Sequence, residues 1–363
     1  MRNHCYILAG GGTGGHIFPA IAIAQALKKM QPDSTIRFIG AKGKMEMEKV
    51  PQAGFEIDGL TIAGFERSSL LKNVWLPYKI LRSFTQVASL FRRYKPDAVI
   101  GVGGYSSFPV LRYAQWKKIP TFIHEANSFA GKSNMLLGKK AKAIFAGVPG
   151  LEKFFPKEKI VLTGNPVRKR ILENKPDTAS AKQFFNLDST KPVLLIVGGS
   201  LGARSINQNI ANILKDIVEQ GWQIIWQTGK MFEVDAKKIA EGMKVVSVHA
   251  FIQEMEQAYA AADLVISRSG AMSVAELCIV AKPTIFVPFP FAAEDHQTAN
   301  ANVLVKANAA AIVPDGELKT QLLSTIKNLM NDSSLRNQFS TNMKAFAITN
   351  ADERVAQEIL NSI

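Results

Sequence analysis

The feature that most constrains this fold is a glycine-rich stretch near the start of the chain, GGGTGGH at residues 10–16. It follows a short apolar run, Cys5–Ala9, that predicts a buried strand, and it precedes apolar residues at helical spacing between Ile21 and Leu27. A strand, a glycine turn and a helix in this order point backbone N–H groups and the positive end of a helix at a phosphate. The same glycines satisfy the dinucleotide pattern G-x-G-x-x-G, and a tight turn without a ligand is the plainer alternative.

Short apolar runs alternate with helical patterns along the whole chain, which is typical of doubly wound parallel sheets. In the first half, strands are predicted at Tyr6–Ala9, Thr35–Ile39, Ala98–Val102, Thr121–His124 and Ala143–Ala146. In the second half, they are predicted at Pro192–Val197, Gln223–Gln227, Lys244–Val248, Leu264–Ser267 and Thr284–Val287. A second glycine-rich loop, Gly198–Arg204, follows the first of these, so the two halves open alike. The sequence therefore predicts an α/β protein of two facing Rossmann-like domains with a cleft between them.

The length of 363 residues also favours two domains, because a single core rarely serves so long a chain. We place the first domain at residues 1–165 and the second at residues 166–344. A C-terminal helix at about 345–363 is expected to pack back on the first domain. The polar stretch at residues 174–192 lacks strong periodicity and is interpreted as a linker or surface loop.

The positive charge of the chain is concentrated in its first half. Residues 1–165 hold 24 Lys and Arg against 10 Asp and Glu, whereas the remaining residues hold 20 against 20. This excess indicates an anionic partner, and because no nucleic-acid module is recognisable we favour an anionic membrane surface over nucleic acid. The two cysteines, Cys5 and Cys278, are too few for a disulfide framework or a cysteine metal site. No signal peptide or membrane-spanning run is recognisable, so a cytoplasmic protein is expected.

Residues Leu70–Tyr94 predict a helix that is broken or kinked near Pro77. Its apolar face comprises Ile80, Leu81, Phe84, Val87, Ala88 and Phe91, and several Lys and Arg side chains flank it. Such a helix either packs its apolar face into the core or lies partly in a lipid interface. Exposure of Trp75, Leu76 and Phe84 would favour the lipid interface.

Polar loops follow the predicted strands at their carboxyl ends, where parallel sheets bind ligands. In the first half these are GVGGYSS at residues 101–107 and the loop His124–Asn127. In the second half, RSGAMSVAE at residues 268–276 turns from a strand into a helix. Gly270 and Ala271 leave room for a phosphate there, and the hydroxyl of Ser273 can donate to it.

Sugar recognition is predicted from three further side chains in the second half. Glu276 comes about one turn after the phosphate loop, where a carboxylate can accept hydrogen bonds from paired sugar hydroxyls. The alternative is a plain carboxylate near a helix start, which the helix dipole favours. Gln297 and Asn300 lie three residues apart on one helix face, and their amides match the donors and acceptors of a sugar.

The sequence resembles the MurG-type peptidoglycan glycosyltransferases, which are bacterial lipid-linked N-acetylglucosaminyltransferases. The resemblance is carried, in order along nearly the whole chain, by Gly11–His16, Gly103–Pro109, His124–Asn127, Gly164–Arg168, Gly198–Ala203, Phe251-Ile252, Ser267–Glu276 and Glu294–Asn300. It implies the GT-B architecture of two facing Rossmann-like domains. It also implies inverting transfer of N-acetylglucosamine from UDP-N-acetylglucosamine to the 4-hydroxyl of muramoyl-pentapeptide diphospho-undecaprenol, at the cytoplasmic face of the inner membrane.

The resemblance also implies roles for individual residues. Donor-binding residues would be Thr13, Gly14, Gly15, Asn127, Arg168, Ser200, Ile252, Ala271, Met272, Ser273, Val274, Ala275, Glu276, Gln297 and Asn300. Within this set, the Ile252 backbone would meet the uracil and Glu276 the ribose. The acceptor side would include Gly103, Gly104, Tyr105 and Ser106. The family's loop His-Glu-Gln-Asn-Gly departs here to Ala126 and Ser128 at its third and fifth positions.

Inverting transfer needs a base for the incoming hydroxyl and stabilisation of the departing diphosphate. His16 has the ordinary pKa, about 6.5, that suits a general base at neutral pH, although it could instead only orient the helix. Glu125 is the alternative base. No Asp-x-Asp pair occurs in the sequence, so we expect no metal and no cofactor, and leaving-group charge would be stabilised by helix N-termini.

Three other functions compete with this interpretation. An NAD-dependent oxidoreductase expects an acidic residue about 20 positions after the glycine pattern, where this chain has Gly40-Ala41-Lys42. A UDP-sugar 2-epimerase of similar architecture would leave the basic first half without a role. A non-catalytic basic membrane-binding or nucleic-acid-binding protein predicts no turnover with a lipid acceptor.

Overall fold

A computed structural model describes residues 3–62, 76–199, 201–292 and 295–363, with the side chains of residues 76 and 77 excepted. The chain divides into two compact units. The first comprises Met1–Arg168 together with Asn350–Ile363, and the second comprises Lys169–Thr349. The boundary lies three residues beyond the one expected from the sequence, and the C-terminal segment belongs to the first unit.

The first unit is a seven-stranded parallel sheet in the order β3-β2-β1-β4-β5-β6-β7. Its strands are β1 (Cys5–Ala9), β2 (Thr35–Ala41), β3 (Glu56–Leu60), β4 (Ala98–Gly101), β5 (Thr121–Glu125), β6 (Ala143–Ala146) and β7 (Ile160–Leu162). Its helices are α1 (Gly14–Met30), α2 (Glu46–Gln52), α3 (Leu76–Tyr94), α4 (Ser107–Trp116), α5 (Lys132–Gly138) and, from the C-terminus, α15 (Ala351–Leu360).

The second unit is a six-stranded parallel sheet in the order β10-β9-β8-β11-β12-β13. Its strands are β8 (Val193–Val197), β9 (Gln223–Gln227), β10 (Val246–His249), β11 (Leu264–Ser267), β12 (Thr284–Phe286) and β13 (Ala311–Ile312). Its helices are α6 (Lys169–Glu173), α7 (Thr178–Phe184), α8 (Arg204–Val218), α9 (Glu233–Ile239), α10 (Met255–Ala261), α11 (Ala271–Val280), α12 (His296–Lys306), α13 (Leu318–Asn331) and α14 (Ser333–Lys344). The predicted fold class, two parallel-sheet α/β domains, is confirmed.

Each sheet is buried on both faces, which explains why its central strands are apolar without alternation. In β1, Tyr6 and Leu8 enter one core cluster while Ile7 and Ala9 enter the cluster on the opposite face. Successive side chains of a strand point to opposite faces, so a strand covered by helices on both sides must be apolar throughout.

The short edge strands β3, β7 and β13 were not predicted from the sequence. Their residues are half-buried or exposed apart from Leu60, so they lack the continuous apolar run that marks a central strand. Pairing with one neighbouring strand, rather than a local sequence pattern, specifies such strands.

The interpretation of residues 174–192 as a linker or loop was wrong, because this stretch contains α7. Asp177 caps that helix by accepting a hydrogen bond from the N–H of Ser180 at 3.0 Å. Phe185 and Leu187, directly after the helix, are buried in the core of the second unit. A helix of seven residues is too short to show a helical period in its sequence.

The two units use the same contact to join their first strand to the sheet. The carboxylate of Asp97, just before β4, accepts the N–H of Cys5 in β1 at 2.8 Å. The carboxylate of Asp263, just before β11, accepts the N–H of Val193 in β8 at 2.8 Å. In both cases the aspartate precedes the strand that neighbours the opening strand of the unit.

The C-terminal helix α15 packs on α1 of the first unit. Val355, Ala356 and Ile359 are buried in the same cluster as Ile23. At the surface, Lys29 and Glu353 form an ion pair of 2.9 Å.

Helix α3 changes its environment along its length. Val87 and Phe91 are buried, whereas Leu81 is 67% exposed. Residues 63–75, which include the first part of the predicted helix and Trp75, lie outside the described residues, as do the side chains of Leu76 and Pro77. Within the parts of the chain that the structure describes, no helix combines the length and apolar character needed to cross a bilayer.

Candidate active site

Three loops of the first unit meet at the carboxyl ends of β1, β4 and β5, which are neighbours in the sheet. The glycine loop after β1 and the loop after β4 approach each other backbone to backbone. A Cβ placed on Gly104 would lie 2.5 Å from the carbonyl oxygen of Gly11, and Gly104 has a φ of +84°. A Cβ placed on Gly103 would lie 2.9 Å from Nε2 of His16. Glycine is therefore required at both positions for the two loops to surround this histidine.

His16 lies in the first turn of α1 with a defined orientation. Its Nδ1 is 3.1 Å from the carbonyl oxygen of Gly11 and 3.4 Å from the hydroxyl of Thr13. Because a carbonyl oxygen only accepts, Nδ1 carries the proton in this contact and Nε2 of a neutral ring keeps its lone pair. This is the tautomer that a general base acting through Nε2 needs.

Burial lowers the pKa of His16 below its ordinary value of 6.5. The Gly11 carbonyl and the charges of Glu125 and Glu46 act in the opposite direction. The neighbouring His124 is buried more deeply, and burial lowers its pKa to about 4. Both rings are therefore neutral at pH 7, which for His16 is the form that accepts a proton.

The carboxylate of Glu125 is occupied by the loop that follows β5. Its oxygens accept hydrogen bonds from the N–H of Gly131 at 3.0 Å, the amide of Asn134 at 2.9 Å and the N–H of Asn127 at 3.2 Å. The side chain is only 4% exposed. Glu125 therefore orders residues 126–131, and its lone pairs are engaged within the loop.

The remaining predicted residues of the first unit have varied surroundings. Thr13 is exposed, Asn127 and Tyr105 are half-buried, and Ser106 is buried at the start of α4. The guanidinium of Arg168 lies 5.3 Å from the centre of the Phe18 ring, on α1. Gly14 and Gly15 are the first two residues of α1.

In the second unit, the N-terminus of α11 is the candidate diphosphate site. Gly270 is the N-cap residue of this helix, and without a side chain it cannot cap the N–H groups of the first turn. Ala271, Met272, Ser273, Val274 and Ala275 form the first turn and a half. Unsatisfied N–H groups and the positive helix end together favour an anion at this position.

Glu276 lies next on α11 and is 6% exposed. The phenol of Tyr259, on α10, donates a hydrogen bond of 3.1 Å to Oε2 of Glu276. Sequence reasoning missed Tyr259, because its residue type and spacing carry no local signal. Its hydroxyl fixes one carboxylate oxygen and so orients the other.

Gln297 and Asn300 converge on the loop before α11. The carbonyl of Gln297 accepts from the hydroxyl of Ser269 at 2.9 Å, and its side-chain oxygen accepts from the N–H of Phe289 at 3.0 Å. The amide of Asn300 donates to the carbonyl of Ser269 at 3.1 Å. The nitrogen of Gln297 lies 4.0 Å from the Cβ position of Gly270. Both side chains of α12 therefore lie beside the loop that precedes α11, and their predicted role in sugar recognition stays a prediction.

Gln227, at the end of β9, connects two other predicted donor segments and was also missed. Its side-chain oxygen accepts the N–H of Ile252 at 3.0 Å, and its nitrogen donates to the carbonyl of Gly199 at 3.0 Å. The side chain is buried. Ser200, the next residue of that glycine loop, lies outside the described residues, as does Glu294.

No group of three or more His, Cys, Asp or Glu side chains placed to hold a metal ion occurs in residues 3–62, 76–199, 201–292 and 295–363. Transfer without a metal, expected from the sequence, stays a prediction.

Comparison with known proteins connects both units to glycosyltransferases. Residues 6–146 match the N-terminal domain of glycosyltransferase family 28, and residues 193–358 match its C-terminal domain. A relative from Flavobacterium psychrophilum is 46% identical over 363 residues, which are 100% of this chain and 99% of the relative. That relative is named UDP-N-acetylglucosamine--N-acetylmuramyl-(pentapeptide) pyrophosphoryl-undecaprenol N-acetylglucosamine transferase.

Two solved structures show how the fold is shared. The crystal structure of Acinetobacter baumannii MurG has a TM-score of 0.77 at 28% identity and covers 99% of this chain and 100% of its own. A UDP-GlcNAc 2-epimerase from Neisseria meningitidis, bound to UDP-GlcNAc, has a TM-score of 0.69 at 14% identity, with 99% and 100% covered. At that identity the epimerase shares the fold alone.

Proposed function

The chain belongs to glycosyltransferase family 28, and from that membership we propose that it transfers N-acetylglucosamine from UDP-N-acetylglucosamine to a pyrophosphoryl-undecaprenol-linked muramoyl-pentapeptide. The observation that carries the proposal is the arrangement at α11 of the second unit. There, a helix start without a side-chain cap is followed by the buried carboxylate of Glu276. This order matches a ligand in which a diphosphate is joined to a ribose. The name of the 46% identical relative supplies the two substrates.

We assign the chemical step to His16 of the first unit. Its Nε2 takes the proton of the acceptor's 4-hydroxyl while that oxygen attacks C1 of N-acetylglucosamine. The bond from C1 to the diphosphate oxygen breaks in the same displacement, so the configuration at C1 inverts. The charge that develops on the departing UDP is stabilised by the N–H groups of Ala271, Met272 and Ser273 at the start of α11.

Glu125 takes a positioning role in this scheme rather than that of the base. Four hydrogen bonds, two from Asn127 and one each from Gly131 and Asn134, already occupy the four lone pairs of its carboxylate. Removing a proton from a hydroxyl would therefore require one of these hydrogen bonds to break. By holding residues 126–131, it fixes Asn127 at the carboxyl end of β5. Asn300, which donates to Ser269, acts in the same way on the loop before α11.

Epimerisation is not favoured as the activity, because relatives named as transferases match the full chain at far higher identity than the epimerase. A non-catalytic binding protein is not favoured either, because the relative that matches the full length of this chain is named as a transferase.

We further propose that the first unit docks on an anionic membrane, at the cytoplasmic face of the inner membrane. Tyr78 and Leu81 on α3 are exposed, and Phe84 stacks on the exposed Trp116 of α4 at 4.9 Å. We call this set (Tyr78, Leu81, Phe84 and Trp116) the aromatic patch. Cations adjoin these residues in the two helices: Arg82 and Lys117 are exposed, and Lys79 is half-buried. Apolar side chains ringed by Lys and Arg match an interface of acyl chains and anionic headgroups, where the acceptor's lipid would be anchored.

The activity is tested by incubating the protein with labelled UDP-N-acetylglucosamine and a polyprenyl-diphospho-muramoyl-pentapeptide. Label is expected to pass into the lipid-extractable fraction only when the acceptor is present. Conversion of the donor to a 2-epimer without acceptor, or no turnover with the authentic acceptor, would overturn the proposal.

A further inference from the structure

Glu46, the first residue of α2, is buried directly beneath the glycine loop of the first unit. Its side chain is 1% exposed. One oxygen accepts the N–H of Gly12 in the glycine loop at 2.9 Å, and the other accepts the N–H of Ala41 at the end of β2 at 3.0 Å. A buried carboxylate that accepts two backbone N–H groups is an anchor between a strand end and a loop.

The backbone around this carboxylate is shaped to admit it. A Cβ on Gly11 would lie 2.1 Å from Oε1 of Glu46, and a Cβ on Gly40 would lie 2.5 Å from its Cγ. Gly40 in β2 and Gly11 in the loop are therefore both needed to make room for the Glu46 side chain. The glycine pattern that predicts a phosphate site has, at Gly12, an internal carboxylate in place of an external phosphate.

The carboxylate is connected to His16 through adjacent backbone groups. Glu46 holds the N–H of Gly12, and the carbonyl of the preceding Gly11 is the acceptor for Nδ1 of His16. The charged and titratable groups that act on His16 are Glu46 from α2 and Glu125 and His124 from β5. Both carboxylates favour the protonated ring, which is the form that a general base reaches in the transition state.

We propose that Glu46 is a positioning residue for the transfer reaction, which fixes the Gly11 carbonyl through Gly12 and so keeps Nε2 of His16 as the proton acceptor. Its negative charge stabilises the imidazolium as the proton arrives. The proposal rests on the proposed function, since it concerns the base of that reaction. It also removes the N–H of Gly12 from the set of donors available to a diphosphate.

The test compares Glu46→Gln with Glu48→Gln, the same change at an exposed position of the same helix. Because Gln keeps the shape but loses the charge and one acceptor, we expect kcat to fall on the order of tenfold to a hundredfold, less than the 10²–10⁴ that a general base contributes. The KM for UDP-N-acetylglucosamine should stay within about twofold, since the donor residues of the second unit are unchanged. The acid limb of the pH profile should move to lower pH, because a charge that favours protonation of His16 has been removed.

A second measurement does not depend on turnover. Hydrogen exchange of the peptide spanning residues 10–16 should become faster in Glu46→Gln and remain unchanged in Glu48→Gln. Should Glu46→Gln fail to fold, Gly40→Ala tests the positioning role alone, because its methyl group would displace the Glu46 side chain without altering any charge. In that variant kcat should fall and exchange at residues 10–16 should become faster. A folded Glu46→Gln with unchanged kcat, an acid limb that moves to higher pH, or unchanged exchange at residues 10–16 would overturn the inference. Absence of transfer by the unmodified protein would instead overturn the proposed function.

Discussion

At the level of single residues, the surroundings of His16 keep its ring neutral, and so able to accept a proton, at neutral pH. Replacement by Ala should lower kcat by about 10²–10⁴ while leaving UDP binding intact. Since burial lowers its folded-state pKa, the rate should rise with pH through an inflection below the ordinary value of about 6.5 and then remain level. The pH profile of kcat/KM checks this. His4→Gln, at a histidine that lies beside Asp97, is the control and should keep the wild-type profile.

The orientation of Glu276 by Tyr259 predicts a graded loss of donor affinity. Glu276→Ala should weaken UDP binding by about 1.5–3 kcal/mol, because a charge-assisted hydrogen-bond acceptor is lost. Tyr259→Phe removes only the hydroxyl that holds Glu276 and should cost about 0.5–1.5 kcal/mol. Titration calorimetry with UDP measures both, with Tyr113→Phe in the first unit as the matched control. An unchanged dissociation constant in a folded Glu276→Ala variant would contradict the ribose assignment.

The site could be predicted from the sequence only where its signals are local. Glu276 stood out because it follows a glycine-containing loop about one turn into a helix, and Gln297 because it lies three residues before Asn300 on one helix face. Glu46, Gln227 and Tyr259 carry no such signal, because each acts on a partner that is distant in sequence: Gly12, Ile252 and Glu276. Contacts of this kind depend on how the strands are ordered in the sheet, which no local pattern encodes.

At the level of elements, central strands carry a local sequence signal, whereas edge strands and very short helices do not. Strands such as β1 and β8 were predicted because burial on both faces demands an unbroken apolar run. The edge strand β3 and the helix α7 were missed, since one is half-exposed and the other is shorter than two helical periods. Their positions follow from pairing with the neighbouring strand in the case of β3 and from single contacts such as the Asp177 cap in the case of α7.

The end of α4 offers a test of backbone strain at one element. Lys118, two residues past the helix, has a φ of +57°, a left-handed conformation that costs a residue with a side chain about 1–2 kcal/mol. After allowing for the greater freedom of glycine in the unfolded chain, Lys118→Gly should raise the free energy of unfolding by about 0.5–1 kcal/mol. Lys117, with a φ of −86°, gains no such relief, so Lys117→Gly is the control. Urea unfolding that shows equal changes for both variants would contradict this account.

For the whole molecule, the uneven charge and the aromatic patch predict reversible membrane docking by the first unit. Each Lys or Arg near an anionic leaflet contributes about 1 kcal/mol, so binding to vesicles should require anionic lipid and weaken with salt. Replacing Leu81 and Trp116 by Ser should remove the component that persists at high salt. Met231→Ser, at a 93% exposed side chain of the second unit, is the control. Co-sedimentation of the full chain that is insensitive to Leu81 and Trp116 would contradict the assignment of the patch.

The central claim is that the chain joins N-acetylglucosamine to its acceptor in a single displacement assisted by His16. The most direct test is the configuration of the new glycosidic bond, read by NMR on the disaccharide released from the lipid product. Because UDP-N-acetylglucosamine is α-linked, a single displacement with the 4-hydroxyl as nucleophile predicts a β-1,4 linkage. An α-linked product, or a linkage to a hydroxyl other than the 4-hydroxyl, would contradict the account.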